Sequence, residues 1–343
     1  MYGEIIMIKK IGSDTKVLMY DKSVKNIQNI LTGDKLFGRG FEPISVLSIK
    51  KSTGNIYKIS PVKGDCLFFG GDSEITLVHS MSGIETKVCV EECITRKLGK
   101  YHDHKLFRSS LINFQDSAVV LEPYFAGIWL GDGDTSGPRV TTKDVEIQNY
   151  LLNYSTKFGF IEKLNMGGTC PTVMLTGRNG KNNKLNANPI RSELRKFILN
   201  DEKYIPSNYL FNSKENRLKL LAGLIDSDGY YHCGYYEITT KIERLSDDIL
   251  HLCRGLGFAA YKKHVTKTIK SIGFSGKYWR INFSGFGLED IPCLLERKMA
   301  HKRLQKKEPL RTGFSISKVE DGELYELELD ADVEILLSDY TVL

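Results

Sequence analysis

The feature that most constrains this chain is an internal repeat. Phe125-Ala-Gly-Ile-Trp-Leu-Gly-Asp132-Gly is followed by Val140-Thr-Thr-Lys143, a helix-like segment and Phe158-Gly159-Phe160. Some 96 to 98 residues later, Leu221-Ala-Gly-Leu-Ile-Asp-Ser-Asp228-Gly is followed by Ile238-Thr-Thr-Lys241, a helix-like segment and Leu256-Gly257-Phe258. Three landmarks in one order at nearly one offset imply two copies of one α+β half. Read as helices, the copies place small residues four positions apart: Gly127 and Gly131 in the first, Gly223 and Ser227 in the second. Two such flat stripes permit close helix contact. The helix ends then converge, each bearing an Asp and a Gly suited to a left-handed C-terminal cap. Asp132 and Asp228 are expected side by side.

That juxtaposition is unfavourable alone, because two carboxylates repel and each sits at the negative end of a helix dipole. A cation is expected there. Hard oxygen ligands with room for water suit Mg²⁺, with Mn²⁺ as a substitute, and paired metals stabilise both oxygens in phosphodiester hydrolysis. A single such Asp would more often merely end a buried helix; two in register weigh against that.

The 343 residues, 41% of them apolar, exclude a disordered or fibrous chain. A net charge of +6 permits a polyanionic partner without demanding one. Its distribution says more. Lys262, Lys263, Lys267, Lys270, Lys277 and Arg280 occur with no acid between Lys262 and Leu288, interleaved with Phe274, Tyr278, Trp279 and Phe283, whereas Glu320 to Glu334 holds eight acids and no base. The seven cysteines form an odd, scattered set with no signal peptide before them, which reads as a reduced, intracellular protein, nuclear if the source is eukaryotic. Cys89 and Cys93 read as small buried side chains, not a zinc site. No apolar run approaches the roughly 20 residues that span a bilayer, so no membrane role is expected. Thr15 to Leu47 reads as all-β, about 120 to 305 as α+β, and Phe314 to Leu343 as strands again.

Leu221 to Gly229 (LAGLIDSDG), with FAGIWLGDG before it, resembles the paired motifs of monomeric LAGLIDADG homing endonucleases, including yeast representatives. The resemblance implies two αββαββα halves forming a pseudo-symmetric saddle over double-stranded DNA with a long specific site. It implies metal binding by Asp132 and Asp228, with the carbonyls of Gly131 and Ser227 as further ligands. The family's active-site lysines match Lys203 in Glu202-Lys-Tyr-Ile-Pro206 and, in Ala300-His-Lys-Arg303, either Lys302 or Arg303, of which Lys302 is preferred. Arg139, Lys143, Lys241, Lys262 and Arg280 are candidate DNA contacts, positioning phosphates or reading base edges.

The flanks resemble a Hint domain, the all-β fold of inteins. Thr15 to Asp21 and Gly33 to Gly38 are similar to its opening, Thr76-Leu-Val-His79 to its TxxH motif, and Glu334 to Leu343 to its closing strands. That match puts Lys10 where splicing needs a nucleophile, which a lysine cannot supply, and the terminal His-Asn is missing. The expectation is therefore an α+β saddle in residues 119–305, with halves at 119–200 and 201–305, inserted in a Hint domain split over 1–118 and 306–343. The implied protein is a monomeric, splicing-inactive endonuclease. A splicing element with altered termini and a non-cleaving DNA- or RNA-binding relative are the alternatives.

Overall fold

The computed structural model describes residues 9–21, 23–99, 103–158, 161–165, 170–176, 188–269, 273–302 and 307–343. Gly159, Phe160, Lys100, Lys270 and Arg303 lie outside them. The chain divides into two units, one of Met1–Ile112 with Glu308–Leu343, the other of Asn113–Lys307.

The discontinuous unit is β-rich because its apolar residues alternate. Seven antiparallel strands run in the order Phe314–Lys318, Ile56–Pro61, Leu67–Gly70, Lys9–Gly12, Gly322–Leu329, Pro43–Gly54 and Lys35–Phe37. The late strand Gly322–Leu329 thus lies between two early ones, pairing Ile11 with Tyr325 and Lys51 with the same residue on its other side. Its Tyr325, Leu327 and Leu329 enter the core, where they meet Ile11, Phe69 and Leu77. Its acids meet polar groups of their own unit: Glu323 pairs with Lys51 at 2.6 Å, Glu326 lies 3.9 Å from Lys10, and Ser48 Oγ donates to Glu328 at 2.6 Å. Three of the eight acids from Glu320 to Glu334 thus lie on this strand, and the whole run belongs to the discontinuous unit, which resumes at Glu308. A second sheet orders Arg311–Thr312, His104–Phe107, Glu74–His79 and Glu85–Cys89, and helix α1 (Val90–Thr95) follows it.

In the continuous unit each copy of the repeat begins with a helix. Helix α2 (Pro123–Asp132) starts on Pro123, whose missing N–H costs nothing in the first turn. Helix α3 (Val145–Lys157) and helix α4 (Pro189–Leu194) complete the first copy, with strands Arg139–Thr141, Thr172–Thr176 and Ile161–Asn165 in that sheet order. Helix α5 (Ser207–Leu210) leads to helix α6 (Lys214–Asp228), where the Ser213 side chain caps the Asn216 N–H. The second copy's sheet runs Gly229–His232, Tyr235–Thr240, Phe274–Ser284 and Ala259–Ile269, with helix α7 (Glu243–Gly255) on its buried face. Phe114 packs edge-on to Phe211, and Asn212 and Ser117 exchange hydrogen bonds, which ties the entry segment to this unit.

Helices α2 and α6 touch along their small residues. A Cβ on Gly127 would lie 2.2 Å from the Leu220 carbonyl oxygen, and one on Gly223 2.2 Å from the Tyr124 oxygen. Both obstacles are backbone, so neither can swing aside. The glycines after the aspartates do not adopt the left-handed cap expected of them: Gly133 has φ −78° and Gly229 φ −83°. They are glycine for space, since a Cβ would meet Trp129 O at 2.3 Å and Ile225 Cα at 2.5 Å.

Gly223→Ala should therefore cost about 3 kcal/mol by overpacking, lowering the melting temperature by roughly 6–12 °C. Gly137→Ala, with nothing within 4 Å of its Cβ direction, should change it little. Differential scanning calorimetry of the two variants decides; equal shifts would contradict the packing argument.

Candidate active site

The helix contact brings the C-terminal ends of α2 and α6 together. Asp228 Oδ2 lies 3.4 Å from the Cβ direction of Gly131, and Ser227 Oγ 2.1 Å from it. Burial, then the charge of Asp228, pushes the Asp132 carboxyl up to about 6, while Lys298 and Lys203 pull it back. Burial also raises Asp228, against the pull of Lys203, Lys298 and Lys267. Among the described residues no three His, Cys, Asp or Glu side chains gather as a metal cluster. The donor set is two carboxylates, a number that suits Mg²⁺ retaining waters and substrate oxygens.

Each helix end is capped by a lysine, Lys203 buried and Lys298 half-buried. Lys203 Nζ donates to the carbonyls of Trp129 (2.9 Å), Leu130 (3.1 Å), Gly131 (3.4 Å) and Gly133 (2.7 Å). Lys298 Nζ donates to those of Ile225 (2.8 Å), Asp226 (2.8 Å) and Ser227 (3.0 Å). An ammonium has three protons, and these carbonyls take them all. Burial lowers Lys203 to about 8 and lowers Lys298 as well, with nearby aspartates opposing the shift in both.

Lys298 is the residue the sequence reading missed. Lys302 is exposed and lines a separate hollow with Tyr231, Gly234 and Phe286. The short turn Glu296–Lys298 presents Lys298 to α6, and the chain then leads away. The repeat itself held the signal, for Lys298 stands 95 positions after Lys203 and Asp228 stands 96 after Asp132. Asp226, buried at the motif's sixth position, accepts from Tyr124 Oη at 2.7 Å and from the Leu294 N–H at 2.5 Å, so it holds the helices and the lysine segment together.

The basic candidates divide by face. In the second sheet Ile281 and Phe283 point to the core, as do Ile238 and Tyr236 opposite them. Lys262 pairs with Ile281 in register and turns to α7, where its ammonium meets Asp247. It does not share the face of Arg280. Lys263 does, standing opposite Arg280, which pairs with Glu237 at 2.9 Å. Lys241 is exposed, its Nζ 5.3 Å from the Tyr278 ring centre. Arg139 and Lys143 are exposed at the corresponding strand of the first copy, Arg139 being 3.6 Å from Asp134.

In the β-rich unit, Lys10 is held by residues that lead into the strand Glu74–His79. Its Nζ pairs with Asp72 at 2.5 Å and its carbonyl accepts from Ser73 Oγ at 2.7 Å. His79 instead contacts Ser82 Oγ at 2.9 Å and the ring of His104.

Residues 204–285, which contain Asp228 and the second sheet, match the family model described as homing endonuclease. Over 202 residues, 58% of this chain, the sequence is 26% identical to the replicative DNA helicase DnaB of Mycobacterium intracellulare. The match spans 29% of that protein's length. The crystal structures of the gp41-1 intein and of a triply substituted variant are similar at 21% identity and a TM-score of 0.20. They cover 24% of this chain and 59% and 60% of theirs, and a score that low carries no weight for the fold. Among the described residues no helix is long and apolar enough to cross a membrane.

An acid raised above its unfolded value costs stability once ionised, so stability falls as the pH rises from about 4 through about 6. Asp132→Asn should remove that cost. With divalent metal chelated, it should stabilise the protein at pH 7 to 8 by about 1–2 kcal/mol, allowing for partial exposure, and the gain should vanish as the pH falls to 4. Paired thermal melts across that range test this; a gain independent of pH would mean the carboxylate is not frustrated.

Proposed function

We propose that this chain is a metal-dependent endonuclease that cuts both strands of a specific DNA duplex. The observation that carries the proposal is the pair of crowded, mutually repelling carboxylates, Asp132 half-buried and Asp228 open to solvent, at two helix ends held in backbone contact. The homing endonuclease match over 204–285 supports the substrate class. The two copies would face the duplex as the halves of a pseudo-symmetric saddle.

Asp132 and Asp228 would hold Mg²⁺, aided by the free lone pairs of the Gly131 and Ser227 carbonyls. Bound there, the ion would supply charge that acidifies water and offsets the phosphate's developing charge. The protein's own contribution is electrostatic preorganisation. Lys203 and Lys298 have their protons committed to carbonyls, so they act as fixed cations beside the scissile phosphate and not as mobile proton donors. The exposed sheet face carrying Lys263, Lys267 and Arg280 would follow the duplex, with Lys241, Arg139 and Lys143 at its margins. In the β-rich unit, Lys10 offers neither thiol nor hydroxyl for an acyl shift, so a Hint-like frame opening there would not splice.

Asp132→Asn and Asp228→Asn should each abolish double-strand cleavage of a target selected from a randomised duplex library in Mg²⁺, while retaining site binding. Full cutting by either variant would remove the assignment.

Lys263→Ala and Lys267→Ala should each flatten the dependence of log affinity on log salt by about one unit. Lys262→Ala, with its ammonium turned to Asp247, should leave the slope unchanged. Arg280→Ala should relax preference at one base position by ~1–3 kcal/mol if its guanidinium reaches a guanine. Binding of cognate and scrambled duplexes over a salt series separates these outcomes, and a slope lost on Lys262→Ala alone would reverse the facing of the sheet.

A further inference from the structure

The backbone beside each lysine is held by a helix of the copy opposite to the one whose helix end that lysine caps. Ile205, two residues after Lys203, donates its N–H to Asp248 Oδ2 at 2.8 Å. Asp248 belongs to α7, in the second copy, although Lys203 caps α2 of the first. The reciprocal tie lies next to Lys298. Arg297 grips Asp144 with both prongs, Nη1 to Oδ1 at 2.8 Å and Nη2 to Oδ2 at 2.9 Å. Asp144 is the N-cap residue of α3, the first copy's counterpart of α7, whereas Lys298 caps α6 of the second.

The two ties differ in chemistry. Asp248 is half-buried, and desolvation pushes its carboxyl up to about 6 even with the Ile205 bond and Arg244 opposing. The N–H of Ile205 partly offsets that desolvation, and removing the acid would leave this donor without its partner. The Arg297 side chain is 57% exposed, so the ion pair adds little raw stability. Its two-pronged geometry fixes direction instead.

We infer that Asp248 and the Asp144–Arg297 pair are positioning residues, each locking the lysine at one helix end to the copy opposite the helix it caps. Neither touches the reacting atoms. The two lysines are thereby set against one another across the helix pair, and loosening one tie frees one lysine alone. The consequence for cleavage rests on the nuclease reading above; the consequence for the lysines does not.

Lysine labelling of the full chain with a water-soluble N-hydroxysuccinimide ester, without DNA or metal and read by peptide mass spectrometry, tests the inference directly. Asp248→Ala should raise labelling of Lys203 relative to Lys298 by roughly five- to tenfold, the factor expected for one lost hydrogen bond. Asp248→Asn, which keeps an acceptor oxygen, should stay near the wild-type ratio and guards against a mere folding defect. Asp144→Ala should raise Lys298 relative to Lys203, and Asp144→Arg combined with Arg297→Asp should restore protection. Both lysines rising together, or neither rising, overturns the inference. On a supercoiled plasmid bearing the selected target, the same single variants should accumulate nicked circles where the wild type gives linear product. A wild-type chain that cuts no duplex overturns the nuclease reading, and the labelling ratios still decide this inference.

Discussion

Gly127 and Gly223 meet where no side chain fits between the helices, and the positions of both carboxylates follow from that contact. Glycine inside a helix is unfavourable by about 0.5–1 kcal/mol relative to alanine, so two of them cost up to roughly 2 kcal/mol. The surrounding residues offset this easily. Phe125, Ile128 and Trp129 on α2 and Leu220, Leu221 and Leu224 on α6 are all at most 1% exposed, and each such side chain contributes about 1.5–3 kcal/mol on burial. The close approach is therefore stable, and its by-product is a concentration of negative charge at the paired helix ends.

That charge explains the lysines. Each helix end carries a carboxylate and about half a unit of dipole charge, while Lys203 and Lys298 together return two positive charges. About one negative charge remains uncompensated near the paired ends, enough to attract a divalent cation even with both lysines in place. Because their protons are bound to carbonyls of Trp129, Leu130, Gly131 and Gly133 on one side and Ile225, Asp226 and Ser227 on the other, the lysines hold the helix ends without closing over the carboxylates. Burial that lowers Lys203 to about 8 makes this balance sensitive to alkaline pH. Loss of its proton would leave the end more negative.

The repeat, the small-residue stripes and the two aspartates were legible in the sequence because each depends on spacing along one helix. What escaped depends on partners distant in the chain. Lys262 and Lys263 are adjacent charged residues, so alternation cannot say which faces out; the register opposite Ile281 and Arg280 sets the phase. Lys302 drew attention through its neighbours Ala300 and His301, whereas the turn at Glu296–Lys298 decides which lysine reaches α6. The glycines after the aspartates suggested a left-handed cap because that is the usual reason for glycine there. The actual reason is a strand leaving the helix so closely that a Cβ would strike Trp129 or Ile225. His79 fits a motif by spacing alone, which says nothing of its partners, and in the fold these are Ser82 and His104.

The two copies have diverged where a single chain allows it. At the motif's sixth position the first copy has Leu130, 2% exposed, and the second has Asp226, 1% exposed. An apolar side chain asks only for volume, but a buried acid needs donors, and Asp226 finds them in Tyr124 of the other helix and in the Leu294 and Leu295 backbone. Placing an acid at 130 would require a matching hydroxyl on α6 and free N–H groups near Lys203; the Lys203 segment instead spends its Ile205 N–H on Asp248. Each copy has thus solved the same problem, anchoring a lysine beside a helix end, with a different set of hydrogen bonds. Equal helix ends do not require equal supports, provided every buried polar group in each support is satisfied.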